Sequence, residues 1–122
     1  MQQEITRVAL DAMGGDNAPG ELVKGAVDAV NGRSDIKVLL VGQQDVVEKE
    51  LKQYSYPKEQ IEVVHAEEVI ETAEPPVNAI RKKKQSSIVV GMNMVKQKEA
   101  DAFVSAGSSG AILVGGQVIV GR

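Results

Sequence analysis

Cysteine is missing from all 122 residues, which excludes disulfides, thiolate metal sites and a cysteine acyl-enzyme and is compatible with a reducing compartment. Aromatic residues are nearly missing as well. Tyr54, Tyr56 and Phe103 are the full set, so there is no row of stacking platforms for single-stranded nucleic acid. Basic residues are not in excess: 14 Lys and Arg face 17 Asp and Glu, a net charge of −3, and a phosphodiester backbone finds no global attraction. Nucleic acid is therefore not an expected partner. Long apolar runs are lacking too. The longest, Ala111 to Val120, is interrupted by Gly115, Gly116 and Gln117 and is too short to span a bilayer. Met1 to Arg7 is polar and charged where the apolar centre of a signal peptide would lie, so a cytoplasmic location is expected.

What is present is an ordinary globular composition, 43% hydrophobic and 25% charged, with enough length for one core and one domain, residues 1–122. The stretch Asp11-Ala-Met-Gly-Gly-Asp-Asn-Ala-Pro19 organises it. It follows the apolar run Val8-Ala9-Leu10 and precedes a segment in which Leu22, Val23, Ala26, Val27 and Val30 fall on one helical face, so it reads as the turn of a strand-turn-helix unit. Gly14 and Gly15 let the backbone bend sharply and approach a ligand, and Pro19 suits the first turn of a helix. Asp16 or Asn17 is the expected N-cap, and Gly32 the C-terminal stop.

The unit then repeats. Lys37 to Val41 reads as a second buried strand, Asp45 as the cap of a short helix with Val46, Val47 and Leu51 inward, and Ile61 to His65 as a third strand. Residues 66–76, with Glu67, Glu68, Glu71 and Glu74 before two prolines, read as a surface loop. Pro76 opens a helix through Lys84, Ser86 or Ser87 caps another that ends near Lys98, and Ala102 to Val104 is a fourth strand. A second glycine turn, Ser105-Ala-Gly-Ser-Ser-Gly110, leads into a last helix ending near Val120. This order predicts a doubly wound, mostly parallel sheet with helices on both faces, a three-layer α/β/α fold.

Both glycine turns follow strands, and the carboxyl ends of strands are where an open parallel sheet binds its ligand, beside helix N-termini. The candidate binding residues are Asp11, Gly14, Gly15, Asp16, Asn17, Ser105, Gly107, Ser108, Ser109 and Gly110. Their backbone amides and hydroxyls suit phosphate. The rival reading is that the glycines only end strands and allow close helix packing. Neither turn is a Walker loop or a full dinucleotide fingerprint. Asp11 and Asp16 lack a third ligand nearby, so no metal is expected. His65 is the catalytic candidate, as a proton carrier or a hydrogen bond to substrate, with a structural role as the alternative. Arg81, Lys82, Lys83 and Lys84 could meet an acidic partner protein, an anionic membrane surface or an incoming phosphate, or form a solvated face balanced by the acidic loop before them.

Asp11 to Pro19 also resembles the opening motif of the bacterial acyl-acyl-carrier-protein:phosphate acyltransferases. Ser105 to Ala111 resembles a second motif of that family, with Ser108 and Ser109 standing where Asn and Thr are usual. Val63 to Glu67, Glu74 to Val77 and Ala79 to Lys84 are similar in order and spacing. The similarity covers the whole sequence but only the N-terminal part of that family's longer proteins. It implies an isopropylmalate-dehydrogenase-like fold and attack of inorganic phosphate on the thioester of long-chain acyl carrier protein, with no cofactor. A homo-oligomer, taken as a dimer, and peripheral membrane association through parts outside this sequence go with it. By itself the sequence is expected to bind phosphate in part without turning over. The alternatives are a phosphotransacetylase- or dehydrogenase-like domain, or a non-catalytic fragment that only binds phosphate or a partner.

Overall fold

Hydrophobic residues in runs too short for a helix, each ended by a polar or glycine residue, become the strands of one sheet. The computed structural model describes residues 4–71, 73–107 and 109–121, and of residues 109, 117 and 118 the backbone alone. The strands are β1 (Thr6–Asp11), β2 (Ile36–Gly42), β3 (Ile61–His65) and β4 (Ala102–Val104). The helices are α1 (Gly20–Gly32), α2 (Gln44–Leu51), α3 (Pro76–Lys82), α4 (Ser87–Lys96) and α5 (Ser109–Gly115), the last running on into a π-type turn, Gly116–Val120. The described strands are all parallel, in the order β3-β2-β1-β4.

Strand β2 shows why the sheet is covered on both sides. Its side chains alternate, and both sets are apolar. Val38 and Leu40 pack with Val23, Val27 and Val30 of α1 and with Val47 and Leu51 of α2. Leu39 and Val41 point the other way, toward Met94, Ala66 and Ala100. Leu40 and Val41 are fully buried, each stabilising the sheet by about 1.5–3 kcal/mol relative to exposure. The three-layer, doubly wound expectation holds. A third cluster joins α3, α4 and α5 through Ile80, Ile88, Met92 and Ala111. Helix α5 lies close to the start of α3: a Cβ at Gly110 would come within 2.6 Å of Pro76 Cγ.

Several local expectations are corrected. Neither Asp16 nor Asn17 caps α1 with its side chain; Pro19 occupies the cap position. The preceding turn satisfies the helix start with main-chain carbonyls, Asn17 O accepting from Glu21 N and Pro19 O from Val23 N. Gly32 is the last residue of α1 rather than a left-handed stop, and Arg33 after it is extended. Gln43 rather than Asp45 takes the cap position of α2, and Asp45 accepts instead from the adjacent Val46 N at 3.0 Å. Helix α3 ends at Lys82 and α4 at Lys96, each two residues earlier than expected. Ser86 is the cap of α4, its Oγ accepting from Val89 N at 3.2 Å. The connection from β3 to α3 is no mere surface loop. Ala66 and Ile70 are buried in it, and Glu68 bridges to Ser86. Among the described residues no helix is long and apolar enough to cross a membrane.

Candidate functional site

The chain leaves β1 through α1 toward β2 and β3 on one side, and returns at β4 on the other. The carboxyl ends of β1 and β4 therefore diverge at the point where the strand order reverses, where a crevice opens in a doubly wound sheet. The two glycine turns, far apart in sequence, meet there.

A buried carboxylate holds them together. Asp11, the last residue of β1, is 1% exposed. Its Oδ1 accepts from Met13 N at 3.0 Å and its Oδ2 from the Ser105 hydroxyl at 2.7 Å. Ser105 Oγ in turn accepts from Gly107 N at 3.0 Å. The first turn and the second are thus joined by a chain of three hydrogen bonds, two of them accepted by the carboxylate, one at each oxygen. Gly14 lies against this chain. A Cβ there would come 2.7 Å from Asp11 Oδ2 and 2.8 Å from Gly107 N, so only glycine lets the turns approach so closely. Gly15 takes a φ of +90°, a conformation that side chains disfavour.

Around these turns is an open cavity of about 620 Å³, a size that suits a small ligand or the reacting end of a larger one. Gly14, Gly15, Asp16 and Asn17 line it from the first turn, and Ala106 and Gly107 from the second. Glu21 and Leu22 add the beginning of α1, and Val69, Ile70 and Glu71 form a further wall. None of these last five residues was among the site candidates from the sequence. Glu21 and Leu22 could have been found as the helix turn that follows the glycines; the wall from the β3–α3 connection has no local signal. The lining carries the carboxylates of Asp16, Glu21 and Glu71 and no Lys or Arg among the described residues.

The remaining candidates fall in different places. Asp11 and Ser105 lie under the cavity, engaged with each other, and the Gly107 amide expected to face a ligand is committed to Ser105. The Gly14 amide is turned back toward Asp11 by the turn at residues 12–13, whereas the amide of Gly15 has no acceptor among the described residues. Gly110 is absent from the lining and packs on Pro76. Ser108 lies outside the described residues, as does the side chain of Ser109. His65 ends β3, with β2 between it and β1; its Nδ1 accepts from Gln44 N at 3.2 Å, and with Gln44, Asp45 and Glu48 it borders a separate depression. Arg81, Lys82 and Lys84 are exposed, whereas Lys83 is turned inward. Its Nζ lies 2.7 Å from Glu74 Oε2, and that ammonium, with the Glu71 amide, holds the Glu74 carboxyl below its ordinary pKa. Among the described residues no group of three or more His, Cys, Asp or Glu side chains is placed to hold a metal ion.

Residues 6–122 match the family model described as fatty acid synthesis protein. The chain belongs to that family. Among curated members it is 53% identical over 116 residues to a phosphate acyltransferase of Alkaliphilus oremlandii, covering 95% of this chain and 34% of that protein. It is 47% identical over 115 residues to a phosphate acyltransferase of Clostridium acetobutylicum, covering 94% and 35%, and 46% identical over 116 residues to one of Clostridioides difficile, covering 95% and 34%. The chain therefore spans about a third of the length of the curated relatives it matches. The first glycine turn, the second and the β3–α3 connection all lie within the matched residues.

Proposed function

We propose that the chain is the N-terminal part of a phosphate acyltransferase that moves a fatty acyl group from acyl carrier protein to inorganic phosphate. The observation that carries this reading is the meeting of the two glycine turns at the strand-order reversal, in a chain whose relatives bear that enzyme's name. A phosphate oxygen attacks the thioester carbonyl, the carbonyl oxygen takes up negative charge, and the tetrahedral intermediate collapses with loss of the carrier thiolate. Acyl phosphate and free carrier result. Positioning and oxyanion donors are enough for such a step, without a covalent enzyme intermediate. The uncommitted amide of Gly15 is the donor this geometry offers, and Asp11 and Ser105 keep its turn in place rather than touching substrate. The carboxylates of Asp16, Glu21 and Glu71 oppose a dianion, so in this reading the counter-charge for phosphate comes from the part of the protein that the relatives possess beyond the matched third. The exposed Arg81, Lys82 and Lys84 face the acidic carrier, with association that weakens as salt rises. As the resemblance implies, the whole protein works as a cytoplasmic homodimer.

The test is release of free carrier thiol from long-chain acyl carrier protein by the full-length protein, followed as phosphate is raised from zero. Turnover that saturates in phosphate, with a rate at low carrier concentration that falls with salt, is expected. A protein that binds carrier and phosphate but yields no acyl phosphate would defeat the catalytic reading and leave a binding module.

A further inference from the structure

Lys83 differs from its neighbours in the basic run. Helix α3 stops at Lys82, and the backbone of Lys83 leaves the helical region, with φ −97° and ψ 64°. The side chain is thereby swung away from the exposed face shared by Arg81 and Lys82 and is only 31% exposed. Its ammonium donates to the carbonyl oxygen of Val69 at 2.7 Å and to Glu74 Oε2 at 2.7 Å. The same carboxylate oxygen accepts from Glu71 N at 2.6 Å. One ammonium and one carboxylate thus bind the backbone at Val69 and at Glu71, on either side of Ile70. Those three residues are the cavity wall that comes from the β3–α3 connection.

Two other contacts fix the approach to this wall. Glu68 is stitched to the beginning of α4, its N–H donating to Gln85 O and its carbonyl accepting from Ser87 N, both at 3.1 Å. Ile70 is 5% exposed and packs in the cluster of Ile80, Ile88 and Met92. The carbonyl of Val69 and the amide of Glu71 need partners that the neighbouring elements do not provide, and Lys83 and Glu74 supply them.

We propose that Lys83, paired with Glu74, is a positioning residue that sets the Val69–Ile70–Glu71 wall of the cavity and through it the fit of the acyl-transfer substrates, and is not part of the surface that docks a partner. The link to substrate rests on the cavity being the acyl-transfer site; the link to the wall does not. A lysine suits the task because its tetrahedral ammonium can donate to a carbonyl and a carboxylate in different directions at once. Removing it leaves the Val69 carbonyl without its donor and the part-buried Glu74 carboxylate with the Glu71 amide in place of a full counter-charge.

The experiment compares Lys83→Met, which keeps the apolar stem, with Glu74→Gln, with the exchanged pair Lys83→Glu/Glu74→Lys, and with Lys49→Met as a control for charge loss on the exposed face of α2. All are made in the full-length protein. Amide hydrogen exchange at Val69 to Glu71 is read first. The expected result is at least a tenfold faster exchange in Lys83→Met, a smaller rise in Glu74→Gln, and parental behaviour in the control; the exchanged pair, which restores the ion pair but sets an acceptor against the Val69 carbonyl and a donor against the Glu71 amide, stays fast. Steady-state turnover is read second, where kcat/KM for phosphate falls several-fold in Lys83→Met while the salt dependence of carrier association keeps its parental slope. Parental exchange in Lys83→Met overturns the proposal, and so does a loss confined to carrier association. If Lys83→Met does not fold, Glu74→Gln decides in its place: unchanged exchange at the Glu71 amide overturns the proposal. Faster exchange in a protein that shows no phosphate-dependent turnover in any form upholds the wall assignment and overturns the acyl-transfer reading instead.

Discussion

Replacing Ser105 by Ala removes one oxygen and with it the link between the two glycine turns. Asp11 Oδ2 loses its donor at 2.7 Å, and Gly107 N loses its acceptor at 3.0 Å. The carboxylate is 1% exposed, so water does not reach it without a rearrangement of the turn, and its other oxygen is already occupied by Met13 N. A hydrogen bond to a charged group is worth about 1.5–3 kcal/mol, and leaving the group buried and under-satisfied puts the loss at the upper end, about 3 kcal/mol. That is a large share of the roughly 5–15 kcal/mol that separates a folded domain from its unfolded chain. With an unfolding entropy scaled to a chain of this length, the melting temperature falls by about 12 °C. The assay is thermal and urea unfolding of the parent and Ser105→Ala side by side, with Asp11→Asn and the double variant to close a cycle. In Asp11→Asn the amide and Gly107 N both present hydrogens toward Ser105 Oγ, so the single variants are expected to be sub-additive. A melting temperature for Ser105→Ala within about 3 °C of the parent, less than about 1 kcal/mol on the same scaling, would refute the claim that this pair holds the site together.

Two further outcomes follow from local structure. Gly25 lies on the exposed face of α1, and a Cβ there meets nothing within 4 Å, so Gly25→Ala is expected to raise stability by about 0.5–1 kcal/mol by removing unfolded-chain freedom; a urea midpoint that does not rise contradicts the helix geometry. The Glu74 carboxyl is held below its ordinary value of 4.5, first by the Lys83 ammonium and then by the Glu71 amide. Because the folded value is the lower one, the unfolded chain takes up the proton first. The stabilisation is fully present above the ordinary value and is lost as pH falls through the lowered one. Stability measured from pH 6 down to pH 3 should therefore decline less steeply in Glu74→Gln than in the parent, and parallel curves would count against the ion pair.

The parts of this architecture that could be read from the sequence are those fixed by neighbours in the chain. Val38 to Val41 is apolar at every position, which a strand covered on both faces demands, and helices α1 and α2 on one side with α4 on the other supply that cover. The two glycine turns were legible for the same reason, each ending a short apolar run. That they touch was not. Their contact depends on β4 joining the far edge of β1, a pairing of only Val8 to Leu10 with Ala102 to Val104 across more than ninety residues of chain. Asp11 illustrates the consequence. A carboxylate at the end of a strand beside glycines has the same local appearance whether it faces a ligand or bonds to another turn, and only the position of Ser105 separates the two.

The basic run makes the same point in the opposite direction. Four consecutive cations, Arg81 to Lys84, read as one charged face because sequence spacing assumes that the helix continues through them. The helix ends one residue before Lys83, and a single non-helical residue is enough to separate one ammonium from the other charges. Where it goes is decided by Glu74 and by the Val69 carbonyl, nine and fourteen residues earlier. Those partners lie in a segment whose acidic and proline-rich composition marks it as irregular but says nothing of what it covers. Its course is fixed by Ala66, Ile70 and the Glu68 bridge to Ser86, contacts between the end of β3 and the start of α4. A cavity assembled in this way has two walls that local pattern can find and one that only packing can. That third wall, with Ile70 buried behind it and Lys83 fixing its backbone, is where substitutions without any contact to the glycine turns can still alter what the cavity admits.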